Sequence, residues 1–376
     1  MGGRIMTSNA RELAQMPSTP SGRRNLIING ASKINQRTTG TVTNGETYGA
    51  VDRFVGFAAA GGTFTLAQST DAPDGFANSI LATVTSADSS IASGDFYGIS
   101  QRIEGNNVYH LAFGSSAAKT LTISFYVKSS VTGTFGGAIR NNAVDRSFNF
   151  SYTINSANTW ELKTYTIEGD TSGTWLTDAG IGLRVSWSLG DGSSRLQAAG
   201  QWGAGNFAGV TGQTNLITTG SATLQLTGVQ LEIGSVATEF EHRTFGEELA
   251  LCQRYYRRME RADSSDSLNA IGRGVAAIRL GLAQVQSTTR ANGVIEFPVA
   301  MRAVPTLEVS AVTDIDFAVT SNTPPATDFT LDSSTSYSVQ NAFLRFSDST
   351  AGLTVGQAGR LQFNDALKHI AFDAEL

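Results

Sequence analysis

Between Pro73 and Pro298 the chain contains no proline. Proline removes a backbone N–H, so it is excluded from the middle of a sheet, and so long a proline-free stretch fits central strands that use every backbone donor. Three runs inside it show the period of a strand with one buried face. Leu121, Ile123, Phe125 and Val127 alternate, as do Phe148, Phe150, Tyr152 and Ile154, and again Ile181, Leu183, Val185, Trp187 and Leu189. Small or polar residues fill the intervening places. Tyr109, Leu111 and Phe113, then Trp160 and Leu162, read as weaker strands. Strands do not alternate with helices, which argues against a parallel α/β sheet. The expectation is an all-β chain with a large jelly-roll-like β-sandwich over residues 25–243.

Composition agrees. Of 376 residues only 16% are charged and 40 are glycine, a balance that suits short strands and tight turns and argues against a helical enzyme core. A net charge of −5 gives no electrostatic case for nucleic acid. One cysteine, Cys252, excludes an internal disulfide framework and a cysteine-based zinc site. No stretch approaches the roughly 18 apolar residues of a membrane span, and no secretory signal is visible, so the chain reads as one made and folded in a cytoplasm.

The segment Leu224–Met259 joins a strand to a helix. Leu224, Leu226 and Gly228 share one face, and Val229, Leu231 and Ile233 continue the apolar series one residue out of phase. Either a β-bulge near Gly228 restores one buried face or a turn separates two short strands. Thr244 and Glu247 then fit a capping box. Phe245, Leu249, Cys252, Tyr256 and Met259 repeat at helical spacing as one apolar stripe, with Arg254, Arg257, Arg258 and Arg261 opposite. This predicts a connecting helix over 244–262. Its stripe either packs on the chain's own sandwich, burying the Cys252 thiol, or turns to a threefold axis, which makes these five residues the oligomer-interface candidates. Arg261–Ser267 is a polar hinge. Alternation at Ala276–Leu282, Val294–Phe297, Leu307–Ala311, Ala342–Phe346 and Ile370–Leu376 predicts a smaller C-terminal β domain over 268–376, with the last residues as a paired strand.

Some of these motifs carry a resemblance. The strand ending in Gln-Leu-Glu-Ile-Gly at 230–234, the Phe-Glu-His-Arg segment at 240–243 and the helix Glu-Glu-Leu-Ala-Leu-Cys-Gln-Arg-Tyr-Tyr at 247–256 occur in that order. Asn-Leu-Ile-Ile-Asn-Gly-Ala at 25–31 and Val-Asp-Arg-Phe at 51–54 precede them. The set resembles the signatures that open and close non-enzymatic β-sandwich domains of bacteriophage tail-fibre and related appendage proteins. The resemblance covers roughly residues 25–260. It implies a structural virion protein that attaches to a host surface, most simply as a homotrimer, and names no receptor. Residues 1–24 hold Arg4, Arg11, Arg23 and Arg24 and a Pro17–Gly22 linker. They are either a disordered start or a virion-anchoring segment that docks on other virion proteins.

Chemistry-bearing constellations are sparse. His110, His242 and His369 lack metal-ligand spacing, and no metal or cofactor is expected. His242 reads as a source of structural hydrogen bonds. Gly203–Ala208 nominally fits a dinucleotide pattern but lacks the flanking strand and helix. Glu161, Glu168, Asp170, Asp178 and Asp191 cannot be sorted by spacing into a glycosidase pair or surface acids. Asp191, between two glycines, offers a single carboxylate toward a calcium loop. All four tryptophans fall between Trp160 and Trp202. Trp187 alternates with core residues, whereas Trp175 and Trp202 lie in Gly/Ser/Thr-rich segments and are the glycan-binding candidates, the competing reading being burial under a long loop. The expected function is a tail fibre of a tailed phage that contacts the host surface, possessing no catalytic site. A head or tail decoration or connector protein is the first alternative, and a glycan-degrading tailspike enzyme is the alternative of another class.

Overall fold

Two antiparallel sheets face each other across one apolar core in the first domain. One sheet has the order β1 (Gly40–Val42), β4 (Thr63–Ser69), β5 (Ser79–Ser86), β15 (Thr223–Ile233), β7 (Leu121–Ser129) and β10 (Glu161–Ile167). The other runs β13 (Gln201–Ala204), β9 (Arg146–Ile154), β8 (Gly133–Arg140), β11 (Ile181–Asp191), β6 (Phe96–Glu104), β3 (Phe54–Ala58) and β2 (Gly45–Tyr48). A short parallel pair, β12 (Leu196–Gln197) and β14 (Gly209–Val210), lies in the connection that follows β11. From β5 to β8 the chain crosses between the sheets at every step, which is the wrapping of a jelly roll. The computed structural model describes residues 23–59, 61–260, 279–311, 315–318, 328–331, 338–347, 353–363 and 369–376. Residues 1–22 of the N-terminal segment expected to be an anchor or a disordered start, the expected hinge, Ala276, Ile278 and Pro324-Pro325 lie outside the described residues.

The three alternating runs form β7, β9 and β11, and their apolar positions are the core. Phe125, Phe150 and Trp187 are at most 1% exposed and meet one another at centroid distances of 5.6 and 6.4 Å. The weaker strands fare differently. Tyr109–Leu111 is a 3₁₀ turn closed by Ala112 at φ 55°, which leaves Tyr109 exposed and Leu111 buried. In β10 it is Ile167 that is buried, and Leu162 points to solvent. At Gly228 the bulge is present: the register of β15 against β7 shifts between Thr227 and Gln230, and Gly228 has φ 59°.

The motifs that bracket the domain meet in space. Asn25 Oδ1 accepts the N–H of Leu231 at 3.1 Å, and its Nδ2 donates to the Val229 carbonyl at 3.0 Å. An added Cβ at Gly30 would sit 2.1 Å from the Val229 oxygen, so only glycine fits there. The Asn29 N–H donates to buried Glu248 of the helix at 2.6 Å, and its side chain holds the Asp52 carbonyl at 3.0 Å. The opening and closing signatures are therefore one structural knot.

The helix is shorter than its pattern predicts. The helix α1 spans Phe245–Gln253 with the capping box of Thr244 and Glu247 in place, and β16 (Tyr256–Glu260) follows. Tyr256 and Met259 thus belong to a strand and not to a helical stripe. Antiparallel pairing of β16 with β24 (His369–Asp373) overrides the helical spacing, since aromatic residues suit a pleated surface. Cys252 is buried with Ile28, Ile34 and Tyr255, Leu249 packs beside them, and Phe245 is on the surface. Met259 enters the second core with Ile370 and Phe372. Within one chain the stripe is therefore divided between the sandwich and the second domain, and four of its five members pack inside the protomer.

The second domain is also β. A sheet of β16, β24 and β19 (Thr306–Val309) accompanies a six-stranded sheet ordered β20 (Ile315–Ala318), β23 (Ala358–Phe363), β17 (Arg279–Ser287), β18 (Arg290–Glu296), β22 (Asn341–Ser347) and β21 (Asp328–Leu331). The last strand is paired on both sides, by β16 and β19. It also ties the domains together. Glu375 is ion-paired to Arg53 and Arg37, Arg37 lies over the Tyr256 ring at 3.4 Å, and Arg302 Nη1 donates to the Ala179 carbonyl at 3.0 Å.

Candidate functional site

Strand alternation gives the seven-stranded sheet two unlike faces. Its inward residues are the apolar core, and its outward residues are Ser100 and Arg102 on β6, Arg184, Ser186 and Ser188 on β11, Ala138 and Arg140 on β8, and Ser147 and Asn149 on β9. Register lines them up. Arg184 stands directly opposite Arg102 on one side and Arg140 on the other, and Ser186 stands opposite Ser100 and Ala138.

The connection from 192 to 215 covers one flank of this outer face. Gln197 Nε2 donates to Asn149 Oδ1 at 2.7 Å, Asn149 donates to the Gly209 carbonyl at 2.8 Å, and Gln213 Nε2 donates to Ser188 Oγ at 2.7 Å. Asn206 of the same segment accepts from Arg140 Nη1 at 2.8 Å. The opposite flank is set by Glu46 of β2, which ion-pairs with Arg102, and by the Leu376 backbone oxygen, which accepts from Arg102 Nη1 and from the Tyr48 hydroxyl. At the end nearer Gly98, Phe57 and Phe96 pair at 5.7 Å with Arg195 over the Phe96 ring at 5.1 Å.

This face is electrostatically incomplete. Burial lowers the Arg140 pKa to about 10, and the nearby guanidiniums of Arg184, Arg195 and Arg102 add to that, against Asp191. Arg184 is lowered by burial and then by Arg102. The Nε atoms of Arg140 and Arg184 and the Oδ1 of Asp191 are buried without a hydrogen-bond partner. Asp191 is 2% exposed, and burial pushes its carboxyl up to about 7 despite Ser188 and Gln213 donating to its other oxygen. Asp191 is therefore a buried acid that carries only part of its charge near pH 7, which makes it a poor cation ligand. Among the described residues no three His, Cys, Asp or Glu side chains gather as a metal site.

Trp175 and Trp202 come together at one edge of the sheet. Their indoles meet edge to face at 5.6 Å and 85°, and Phe113 touches both at 4.9 and 5.9 Å. Trp175 Nε1 donates to the Ser172 carbonyl at 3.1 Å and Trp202 Nε1 to the Glu168 carbonyl at 2.8 Å. Arg146 makes a two-pronged ion pair with buried Asp170, both distances 2.7 Å, and so fastens the same loop. Both indoles are half-buried and pack on the main core, which gives them the task of holding the 168–180 loop to the sheet edge. Trp187 is fully buried. Trp160 is half-buried and donates to Asp71 at 3.1 Å. His242 packs its ring edge to face on Phe240 at 4.9 Å and tilted on Phe76 at 5.3 Å, an aromatic packing role where hydrogen bonds are expected from the sequence.

The arginine row is the element that sequence reading does not find. Its members come from three strands and form no local motif. The available signal is an arginine at an outward position of a strong strand, as Arg184 is between Leu183 and Val185.

No family model and no curated protein matches the chain. Among solved structures, a putative sugar binding protein from Bacteroides thetaiotaomicron is similar with TM-score 0.33 and 14% identity, over 56% of this chain and 100% of that one. The enzymatically active domain of tailspike protein 4 of bacteriophage CBA120 gives TM-score 0.31 and 11% identity, over 56% of this chain and 21% of the tailspike chain. A family 11 carbohydrate-binding module of a Clostridium thermocellum cellulase gives TM-score 0.27 and 14% identity, over 54% and 99%. Likenesses this distant carry no argument about activity or ligand.

Proposed function

We propose that the chain is a non-catalytic attachment protein of a tailed-phage virion, a tail fibre or similar appendage, whose first sandwich binds a host-surface glycan on the outer face of its seven-stranded sheet. The observation that carries this reading is the incomplete polar face itself. Arg184 is partly exposed on this face and makes no hydrogen bond or ion pair among the described residues, so a hydroxyl-rich ligand can pair with it. The half-exposed Phe96 ring on the same face offers a flat apolar surface to sugar C–H groups. The ordered motifs between residues 25 and 260 support the virion assignment by resemblance, and their residues are structural, as the knot of Asn25, Asn29 and Glu248 makes clear. Assembly as a homotrimer is part of the same proposal.

The test uses purified full-length protein and cells of the bacterium that the phage infects. Binding to cells should occur, should compete with phage adsorption, and should be abolished by periodate oxidation of the cell surface. Loss of binding on protease treatment but not on periodate treatment would refute the glycan ligand. A protein that does not bind cells, on virions whose adsorption survives its removal, would be a decoration or connector protein.

A further inference from the structure

We infer that the ligand is an acidic saccharide whose carboxylate or sulfate sits on the row Arg102–Arg184–Arg140. This rests on the glycan reading above and goes beyond it by assigning the charge of the ligand and the residues that recognise it.

Adjacent strands lie about 4.8 Å apart, so three side chains in register on β6, β11 and β8 rise from a line about 10 Å long. Among the described residues, Arg102 alone of the three ion-pairs with an acid. Arg102 meets Glu46 and the Leu376 oxygen. Arg140, 9% exposed, donates only to neutral groups, Asn206 at 2.8 Å and Ser186 at 3.4 Å. Arg184 has no hydrogen bond or ion pair among the described residues, and its Nε is buried. The nearest buried acid, Asp191, bonds to Ser188 and Gln213 and to none of the three. The guanidiniums of Arg140 and Arg184 are thus held near each other in a partly desolvated place, each within the field of one acid, Asp191 and Glu46 respectively, to which it makes no bond, and they repel each other.

An oxyanion removes that repulsion. A guanidinium fork matches a carboxylate or sulfate in geometry, and Arg184, the partly exposed member of the row, has no hydrogen bond or ion pair among the described residues to occupy its fork. The ligand's remainder would extend toward Phe96 and the amides of the 192–215 connection, groups suited to a sugar ring. A polyanionic strand is a poorer fit, because the row is a single short line on a chain of net charge −5.

The test is calorimetric titration of the full chain against fragments of acidic bacterial capsular polysaccharides, uronate-bearing and sulfated, each paired with its carboxyl-reduced or desulfated neutral form, and against inorganic sulfate. The acidic form should bind at least tenfold more tightly than its neutral partner, and less tightly as salt rises. Arg184→Gln should lower acidic binding about tenfold and neutral binding by much less. Arg184→Lys, which keeps the charge and loses the fork, should fall between. Thermal melts of both variants should match or exceed the parent, since a repelling charge is removed or softened. Whether the uronate or the sulfated fragments bind identifies the anionic group. Equal binding of acidic and neutral forms, unmoved in Arg184→Gln, overturns the inference and leaves the glycan reading standing. No binding to any saccharide overturns both, and binding of inorganic sulfate alone marks an adventitious ion only and overturns the inference.

Discussion

Replacing Asp191 by Asn should free the first domain from a stability loss that sets in as pH rises. The wild-type carboxyl is 2% exposed, one oxygen has no partner, and burial places its pKa at about 7, against the opposing hydrogen bonds of Ser188 and Gln213 and the charge of Arg140. In the unfolded chain the same group titrates near 3.9. Between those values the native state keeps a proton that the unfolded state has released. Its contribution is therefore fully present below about pH 4 and is lost as pH rises through 7. About three pKa units at 1.36 kcal/mol each sets an upper limit of about 4 kcal/mol. Asparagine is nearly isosteric and neutral throughout, so the stability of Asp191→Asn relative to wild type should grow by about 3–4 kcal/mol between pH 4 and pH 8. Urea unfolding at pH 4.5, 6 and 8, followed by tryptophan fluorescence, reads this cleanly because all four tryptophans lie in the first domain. Wild type and variant changing in parallel with pH would refute the reasoning.

Gly228→Ala should destabilise by about 1–2 kcal/mol from the left-handed backbone alone, more if Phe76, 2.8 Å from the new Cβ, cannot move. Gly220→Ala, with open space around it, is the control and should stay within about 0.5 kcal/mol. Glu104 is buried and accepts from Arg254 at 2.7 and 3.0 Å and from the Tyr255 hydroxyl at 2.9 Å, so Glu104→Ala should cost about 3 kcal/mol and split one calorimetric transition into two as the domains uncouple. A single unshifted transition would deny the link. Leu249→Ala should cost about 1–2 kcal/mol, less than the 2–5 of a fully buried leucine, and the cost should not vary with protein concentration, because Leu249 packs on its own chain. Light scattering at micromolar concentration should give a mass three times 39.6 kDa, and a stable monomer would reject the trimer.

Much of the first domain is legible in the sequence because its strands each bury one face. Period two then selects the core, and Phe125, Phe150 and Trp187 are found where alternation puts them. The Gly228 bulge is legible for the same reason, since a phase slip beside a glycine has few other meanings. The end of the helix is not. Tyr256 and Met259 satisfy helical spacing from Phe245, yet a strand more than a hundred residues away supplies the pairing that decides their conformation. Tyr109–Leu111 fails differently: three residues alternate by chance where a 3₁₀ turn exposes the first and buries the third. The candidate site was the least legible part. Arg102, Arg140 and Arg184 look like ordinary outward residues until register sets them in one row. The tryptophans, by contrast, stand out in composition, while their N–H groups are already bound to loop carbonyls.

The position of β15 bears on how the molecule comes to be folded at all. It lies between β5 and β7, in the interior of the six-stranded sheet, although it is the last strand of its domain to be synthesised. While a ribosome makes the chain, β5 and β7 must wait with their facing edges open until residue 233 emerges. Those edges, flanked by Ile80, Ala82, Ile123 and Phe125, are apolar on one side and unpaired along their backbones, which is the state most prone to accept a strand from a neighbouring copy. Nascent chains crowded on one message should therefore exchange β15 or aggregate unless the slot is shielded, and yield of native protein should improve with slower translation, lower temperature or chaperone supply more than with any added stability of the finished fold.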